Sequence, residues 1–220
     1  MIALSSASAS TSLLVLLILL TTVLVVLLVL KPGITGTRGG KILAFAALFL
    51  LPLLAGYGGL STHLDHSKRT EFCLSCHAMQ EYGRSLLLDE RSHLPAVHFQ
   101  NNLVPREAAC YTCHTDYTLY GGFTAKLRGL RHLYVQYLGT VPERAELYTP
   151  YSNRECLHCH NGSRSFEEHP VHSADAEILA SIRSNELSCL SCHELVHDVE
   201  NLDRATFWRE SLPVSGADGE

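Results

Sequence analysis

One short pattern of cysteine and histidine occurs four times and is the part of the sequence most able to do chemistry. In each copy two residues separate a pair of cysteines, and a histidine directly follows the second cysteine. The copies are Cys73-Leu-Ser-Cys76-His77, Cys110-Tyr-Thr-Cys113-His114, Cys156-Leu-His-Cys159-His160 and Cys189-Leu-Ser-Cys192-His193. Together they use all eight cysteines of the chain.

Cysteine pairs of this kind have three common uses, which are disulfides in exported proteins, zinc sites and covalent haem attachment. Neither disulfides nor zinc requires a histidine after the second cysteine in every copy. In Cys-x-x-Cys-His, both thiols form thioethers with the haem vinyl groups, and the histidine ligates the iron. The sequence therefore predicts four covalently bound haem c groups, with the motif histidines as iron ligands.

The first motif raises a question about its ligand, because it continues to Met79. His77 and Met79 are too close in sequence to reach opposite faces of one porphyrin easily. We expect one of them to bind the first haem, whose other face then stays open or weakly occupied. The alternative is that Met79 only packs against a porphyrin edge, as flexible thioethers often do.

Second ligands for the other irons must come from histidines outside the ligating positions of the motifs. The candidates are His63, His66, His93, His98, His132, His158, His169, His172 and His197. His197 follows His193 by four residues, and in a helical turn both rings would lie on one face. We therefore expect His197 to serve a different haem from His193.

The elements that carry these motifs begin with an apolar segment. All 22 Asp and Glu residues follow position 60, and Lys31, Arg38 and Lys41 are the only charged side chains before it. Residues 13–30 and 42–60 contain no charged side chain, and each range is about long enough to cross a bilayer. The acidic remainder excludes nucleic acid as a partner, because nucleic-acid binding needs a basic face.

The positive charges suggest a topology for this segment. Residues 31–41 carry all three, and Lys and Arg favour the cytoplasmic side. We expect residues 1–60 to anchor the chain by two transmembrane helices with a cytoplasmic loop, residues 61–210 to form a periplasmic haem domain and residues 211–220 a flexible tail. The alternative is a cleaved signal peptide over residues 1–30, although no basic residue precedes the apolar run.

The haem domain has too few aliphatic residues to build a sizeable core. We expect a mainly α, loop-rich multihaem cytochrome c domain whose core is the four haems, carried on the N-terminal transmembrane helices. Residues 124–138 read as an amphipathic helix with Thr124 as a possible cap. This helix could rest on anionic headgroups or cover a haem. Residues 175–187 read as a second helix, with Ser173 as a possible cap.

The motifs and their surroundings resemble the NapC/NirT/NrfH family of membrane-anchored tetrahaem c-type cytochromes, which are quinol dehydrogenases. The resemblance covers roughly residues 42–200 and includes CLSCHAM at 73–79, HFQN at 98–101, SNREC at 152–156 and CLSCHELVH at 189–197. Family members typically have one transmembrane helix, so the stretch at 13–30 is an addition.

The resemblance implies specific distal ligands. By position, Met79 corresponds to the ligand of haem 1, His197 to that of haem 2, His172 to that of haem 3 and His98 to that of haem 4. His93 is the rival of His98, and His169 is the rival of His172.

The resemblance also implies a quinol site. Quinol oxidation releases two protons with two electrons, so the site needs a proton acceptor and a donor that holds the quinol oxygen. We predict Asp116 and Lys126 for these two roles, the alternative being an ordinary surface pair.

The leading functional hypothesis is a quinol dehydrogenase of the bacterial inner membrane. It would oxidise menaquinol or ubiquinol from the quinol pool and relay electrons through four haems to a periplasmic reductase or cytochrome. The alternative is a pure electron-transfer subunit of a larger membrane complex with no quinol site. A terminal reductase is a third class, but such enzymes usually need a larger protein shell around the catalytic haem.

Overall fold

The computed structural model describes residues 2–142, 147, 150–194 and 196–209, with side chains from residue 11 onward. The predicted flexible tail, residues 211–220, lies outside these residues. The chain divides into two compact units, Met1–Ser67 and Lys68–Glu220. The described residues are mainly helical and contain no strand; one antiparallel bridge joins Leu88 to Phe207.

The first unit contains two long apolar helices. Helix α1 spans Ile2–Leu30. A continuous second helix consists of α2 (Arg38–Phe45), a π-helical segment (Ala46–Leu50) and α3 (Leu51–His66). Thr11–Leu30 and Arg38–His66 are long and apolar enough to cross a membrane. The direction in which they would cross stays a prediction.

Local chemistry explains how these helices tolerate polar and ring residues. The hydroxyls of Thr21 and Thr22 donate to the carbonyls of Leu17 and Ile18, at 2.7 and 2.9 Å. Pro52 has no N–H to donate and stands just after the π-helical segment. A π-bulge is one way for a helix to continue past such a residue.

A tight turn joins the two helices. A 3₁₀ turn spans Pro32–Gly36, and the Thr37 hydroxyl caps α2 by accepting from the Gly40 N–H at 3.0 Å. A Cβ at Gly40 would lie 1.6 Å from the carbonyl oxygen of Ile34, so this close approach requires glycine. Further along, the positions of Gly58 and Gly59 face the side chain of Leu14.

The second helix is longer than the apolar stretch that predicted it. It continues past Leu60 to His66, because nothing in residues 61–66 breaks a helix and the Thr62 hydroxyl bonds back to Gly58 at 2.8 Å. It ends at Ser67, whose hydroxyl donates to the carbonyl of Leu64. The boundary between the two units follows this helix end.

The second unit consists of short helices joined by turns. One helix, α8, is much longer than the others. The helices are α4 (Thr70–Leu74), α5 (Gln80–Ser85), α6 (Leu94–Gln100), α7 (Ala109–His114), α8 (Gly121–Leu138), α9 (Asn153–His160), α10 (Arg164–Glu167) and α11 (Ala176–Ser184). Single 3₁₀ turns lie at His77–Met79, Arg106–Ala108, Cys189–Ser191 and Leu202–Arg204.

Two helix starts differ from the sequence prediction. Helix α8 begins at Gly121, so Thr124 does not cap it, and its hydroxyl donates to the Tyr120 carbonyl instead. Asp175 caps α11 by accepting from the Glu177 N–H at 2.9 Å, whereas the Ser173 hydroxyl donates to the His169 carbonyl. In both cases several small polar residues near the helix start could have served as the cap.

The apolar core of this unit is small. One buried cluster contains Leu86, Leu87, Phe99, Val104 and Ala109, and another contains Leu88, Ala96 and Leu202. Clusters of this size stabilise only part of a domain of this length. The motif histidines lie outside both clusters, where a large apolar cofactor would add the missing buried surface.

Candidate functional site

The motifs lie on short helices or helical turns that bring their ligating groups together. The second and third motifs fill the C-terminal parts of α7 and α9. In a helix, residues three and four apart share a face, so the two cysteines and the histidine of a motif lie on one side. The first motif runs from α4 into the turn His77–Met79, and the fourth lies in the turn Cys189–Ser191.

Three of the four motif histidines each face a histidine from elsewhere in the chain. The ring centres of His114 and His197 are 6.1 Å apart with planes at 16°, those of His160 and His98 are 6.0 Å apart at 76°, and those of His193 and His172 are 6.3 Å apart at 60°.

This spacing fits a metal ion held between two imidazoles. A metal–imidazole bond is about 2 Å long and the ring centre lies roughly 1 Å behind the nitrogen, so two rings on opposite sides of one metal have centres ~6 Å apart. The described residues form no group of three or more His, Cys, Asp or Glu side chains suited to a metal ion. Two protein ligands per metal suit haem, whose porphyrin supplies the other four, and do not suit zinc.

Hydrogen bonds at Nδ1 hold each distal ring in place. Nδ1 of His98 lies 2.8 Å from the Leu94 carbonyl, and Nδ1 of His172 lies 2.9 Å from the Phe166 carbonyl. Nδ1 of His197 lies 2.8 Å from the Ser85 hydroxyl. An Nδ1–H donated to a carbonyl leaves the Nε2 lone pair available for a metal, which is the usual arrangement around ligating histidines.

His197 carries two further marks of a functional position. Its φ is +47°, which is uncommon for a residue with a side chain and concentrates at functional sites. Burial lowers its pKa to about 4, and the neighbouring His114 contributes to the shift. Residues 193, 194, 196 and 197 are not helical, unlike the helical turn considered above, and His197 lies beside the histidine of the second motif.

The two rival histidines have different surroundings. His93 is fully buried, and its Nε2 accepts the Asp198 N–H at 3.1 Å. Nδ1 of the exposed His169 accepts the Val171 N–H at 3.3 Å, which puts the proton on Nε2. In each case the lone pair that would bind iron through Nε2 is engaged or protonated. These contacts favour His98 and His172 as the ligands.

The structure differs from the resemblance in which motif each of these two histidines faces. We expected His98 to serve the fourth motif and His172 the third. Instead His98 lies beside His160 of the third motif, and His172 lies beside His193 of the fourth. The Phe166 side chain of α10 packs against the rings of both His160 and His172 and so lies between the two pairs.

The first motif has no such pair. His77 is exposed, and its Nδ1 lies 3.5 Å from the side-chain amide of Gln80. Among the described residues from 68 onward, no imidazole faces His77 as the other motif histidines are faced. Met79 is half-buried, so its thioether is the more enclosed of the two candidate ligands.

Cysteines of successive motifs lie close together. The Cys73 and Cys110 thiols hydrogen-bond, which lowers the pKa of Cys73 to about 7, and Cys156 and Cys189 form a similar pair that lowers the pKa of Cys189 to about 7. The second and third motifs are also close: Cys159 contributes, after burial, to the raised pKa of Cys113, and the hydroxyl of Tyr151, just before α9, donates to the Cys113 carbonyl. The motifs are therefore neighbours in the order of the sequence.

Two buried polar side chains hold these pairs of motifs and were not predicted from the sequence. The Thr70 hydroxyl donates to the Arg106 carbonyl at 2.7 Å and accepts the Ala109 N–H at 2.9 Å, which joins the first motif to the second. Asn153 joins the third motif to the fourth. A polar residue three positions before each first cysteine was the available signal, but its distant partners were not evident.

The two predicted quinol-site residues have different neighbours. The Asp116 carboxylate lies 3.5 Å from the Arg154 guanidinium and is 21% exposed. Nζ of Lys126 lies 4.7 Å from the ring centre of Tyr111, and its charge contributes to the lowered pKa of Cys73. Lys126 thus lies close to the first motif, whereas Asp116 pairs with Arg154 in α9, the helix that carries the third motif.

The attachment motifs and the facing imidazoles define a cytochrome c. The profile of the "NapC/NirT cytochrome c family, N-terminal region" matches residues 38–202, and the chain belongs to this family. It is a membrane-anchored cytochrome c-type electron-transfer protein that binds haem c covalently.

Several relatives agree with this assignment. The cytochrome c-type protein NapC of Escherichia coli K12 is 25% identical over 173 residues, which cover 69% of this chain and 80% of NapC. TorC of the same strain is 29% identical over 155 residues, 60% of this chain and 36% of TorC. The denitrification system component NirT of Stutzerimonas stutzeri is 23% identical over 170 residues, 69% of this chain and 80% of NirT. No solved structure matches the chain significantly.

Proposed function

We propose that this chain is a quinol dehydrogenase of the bacterial inner membrane. It oxidises menaquinol or ubiquinol and relays the electrons through four covalently bound haems, on the periplasmic side, to a periplasmic reductase or cytochrome. Membrane anchoring gives access to a lipid-soluble donor, and four attachment motifs give a path for electrons away from it.

The observation that carries the proposal is the asymmetry of the motifs. His114, His160 and His193 each face a second imidazole, so these pairs would fill both axial positions of an iron bound there. His77 is exposed, and among the described residues from 68 onward no imidazole faces it. If Met79 held the first haem, one face of that haem would remain open. An open position at one haem alone marks the place where a small substrate can approach.

The residues around the first motif suit a quinol. Quinol oxidation gives quinone, two electrons and two protons; haem takes up electrons singly, so side chains must receive the protons. The Lys126 ammonium, near Cys73, is suited to hold a quinol oxygen. Asp116 is the proton acceptor in this proposal; its carboxylate lies 3.5 Å from the Arg154 guanidinium, on the side of the third motif.

The order of the motifs supports a linear relay. Cys73 contacts Cys110, Tyr151 connects the second motif to the third, and Cys156 contacts Cys189. Electrons that enter at the first motif would leave from the fourth. The name of the Stutzerimonas stutzeri relative assigns that protein to denitrification, which favours an acceptor used in anaerobic respiration.

One observation favours the alternative of an electron-transfer subunit without a quinol site. The family profile begins at residue 38, so α1 lies outside the matched region. A helix added to the family's anchor offers an apolar surface for another membrane protein that could supply electrons.

Rapid reduction kinetics distinguish the two functions. The purified full-length holoprotein is mixed with a reduced quinol analogue or with dithionite, and haem reduction is followed in the wild type and in Met79→Leu. The substitution removes the thioether while nearly keeping the volume, so the fold should persist. We expect quinol to reduce the wild type, and the variant to lose at least about ten-fold in that rate, which is ~1.4 kcal/mol of barrier, while dithionite reduces both alike.

Two outcomes would contradict the proposal. Equal rates of reduction by quinol in the two proteins would show that Met79 has no role at the quinol site. If quinol does not reduce the wild type although dithionite does, the chain receives its electrons from a protein, as the alternative holds.

A further inference from the structure

Helix α8 exposes a continuous row of large apolar side chains. Positions in this row are three or four residues apart, which places them on one face of the helix. The row consists of Phe123, Leu127, Leu130, Tyr134, Tyr137 and Leu138, which are between 50% and 78% exposed. We call this row the apolar face of α8. Soluble proteins rarely leave an apolar surface of this extent uncovered.

A different side of α8 contacts the rest of the domain. A Cβ at the buried Gly121 would lie 1.4 Å from the Asp116 carbonyl oxygen, and one at Gly122 would lie 3.0 Å from the Tyr111 hydroxyl. The charge of His132 acts on the second-motif histidine, His114. Around the helix, Gly121 and His132 stand opposite the middle of the apolar face. The side of α8 that carries Gly121 and His132 therefore faces the second motif, and the apolar face points away from it.

The charges of α8 differ from those of the domain around it. The helix contains Lys126, Arg128 and Arg131 and no Asp or Glu, although 21 of the 22 acidic residues of the chain lie in this unit. On the helical projection Lys126 borders one edge of the apolar face and Arg131 borders the other, whereas Arg128 lies further around the helix, near Gly121. An apolar face bordered by basic residues and rich in Tyr and Phe is the pattern of helices that lie in a membrane interface.

We infer that α8 lies in the headgroup region of an anionic bilayer, with its apolar face directed into the lipid. The chain carries its own membrane anchor, so a bilayer is always within reach of this domain. A second copy of the chain is a poorer occupant, because two α8 helices face to face would place the basic residues of one helix, which contains no Asp or Glu, against those of the other. The inference does not depend on the identity of the electron donor.

Photo-crosslinking of the full-length holoprotein in lipid nanodiscs tests this inference. The photoreactive residue p-benzoylphenylalanine replaces Tyr134 on the apolar face, or Gln136, which is also exposed but lies about 160° away around the helix. After irradiation, mass spectrometry measures phospholipid adducts. We expect at least about five times more adduct at position 134 than at position 136 in discs that contain phosphatidylglycerol. Unchanged haem content shows that both variants are folded.

The second part of the experiment varies the lipid composition of the discs and the basic residues of α8. Discs of phosphatidylcholine alone, and the double variant Arg128→Gln/Arg131→Gln in anionic discs, should both give several-fold less adduct at position 134, because each basic residue near an anionic surface adds to binding. Equal adduct yields at 134 and 136, or crosslinks from 134 to a protein chain, would overturn the inference. Equal yields in anionic and neutral discs would overturn the assignment to anionic lipid.

Discussion

The side-chain oxygen of Asn153 accepts the backbone N–H of Cys189 at 2.8 Å, 36 residues further along the chain. The amide nitrogen of the same side chain donates to the carbonyls of Ile182 and Leu187, at 2.8 and 2.6 Å. One side chain at the start of the third motif's helix thus fixes the backbone that leads into the fourth motif.

Replacing Asn153 with Ala should destabilise the haem domain. The change removes three hydrogen bonds and leaves the Leu187 carbonyl and the Cys189 N–H without these partners, whereas the Ile182 carbonyl keeps its bond from the Asn185 N–H. At roughly 1 kcal/mol for each lost bond, we expect a loss of about 3 kcal/mol in the free energy of unfolding. Denaturant unfolding followed by the haem absorption band measures it. Asn101→Ala is the matched control, since the exposed Asn101 makes one local bond to Val97, and it should cost ~0.5 kcal/mol or less. Equal losses in the two variants would contradict this role of Asn153.

The number of haems is a direct prediction of the four motifs. Pyridine haemochrome absorbance divided by protein concentration should give four haems per chain. Replacing both Cys156 and Cys159 with Ala removes both thioether bonds of one motif and should leave three. A wild-type value of two or fewer would contradict the assignment of at least two motifs.

The partner of His98 can be tested with the same double cysteine variant. His98→Ala in the otherwise wild-type chain should convert one low-spin haem to high-spin, as seen by electron paramagnetic resonance. In the variant that lacks the third-motif haem, His98→Ala should produce no further high-spin haem, because its partner His160 then holds none. His172→Ala in that background is the control and should still produce one, at the fourth motif. If His98→Ala produced a further high-spin haem in that background and His172→Ala did not, the pairing implied by the resemblance would hold, with His98 at the fourth motif and His172 at the third.

Reporter fusions and the mass of the mature chain test the membrane topology. A reporter after Gly36 should be active only as a cytoplasmic protein, and one after Glu220 only as a periplasmic protein, because the basic loop is expected to stay inside. The intact mass should include residues 1–30. A mass that lacks them would show that the first helix is cleaved, and cytoplasmic activity after Glu220 would reverse the orientation.

Local spacing predicted the attachment motifs and the helical character of the chain, and both depend on neighbouring residues. Which motif histidine a distal ligand faces depends instead on how the loops bring distant parts of the chain together. His98 and His160 are 62 residues apart, and no local pattern indicates that they meet. The same holds for Thr70 and Asn153, whose partners are 29 to 39 residues away. The start of α8 was missed because Thr124 resembles a cap, while the close approach of Gly121 to Asp116 sets the true beginning.

The separate bonds of Thr70 and Asn153 have a consequence for biogenesis. Thr70 connects only residues up to Ala109, so a chain that is exported N-terminus first presents everything this bond needs before the third motif appears. The bonds of Asn153 need only residues up to Cys189. Haem attachment at the first two motifs can therefore begin before the last two motifs are exported, whereas the second-motif histidine, His114, meets its facing partner His197 only at the end.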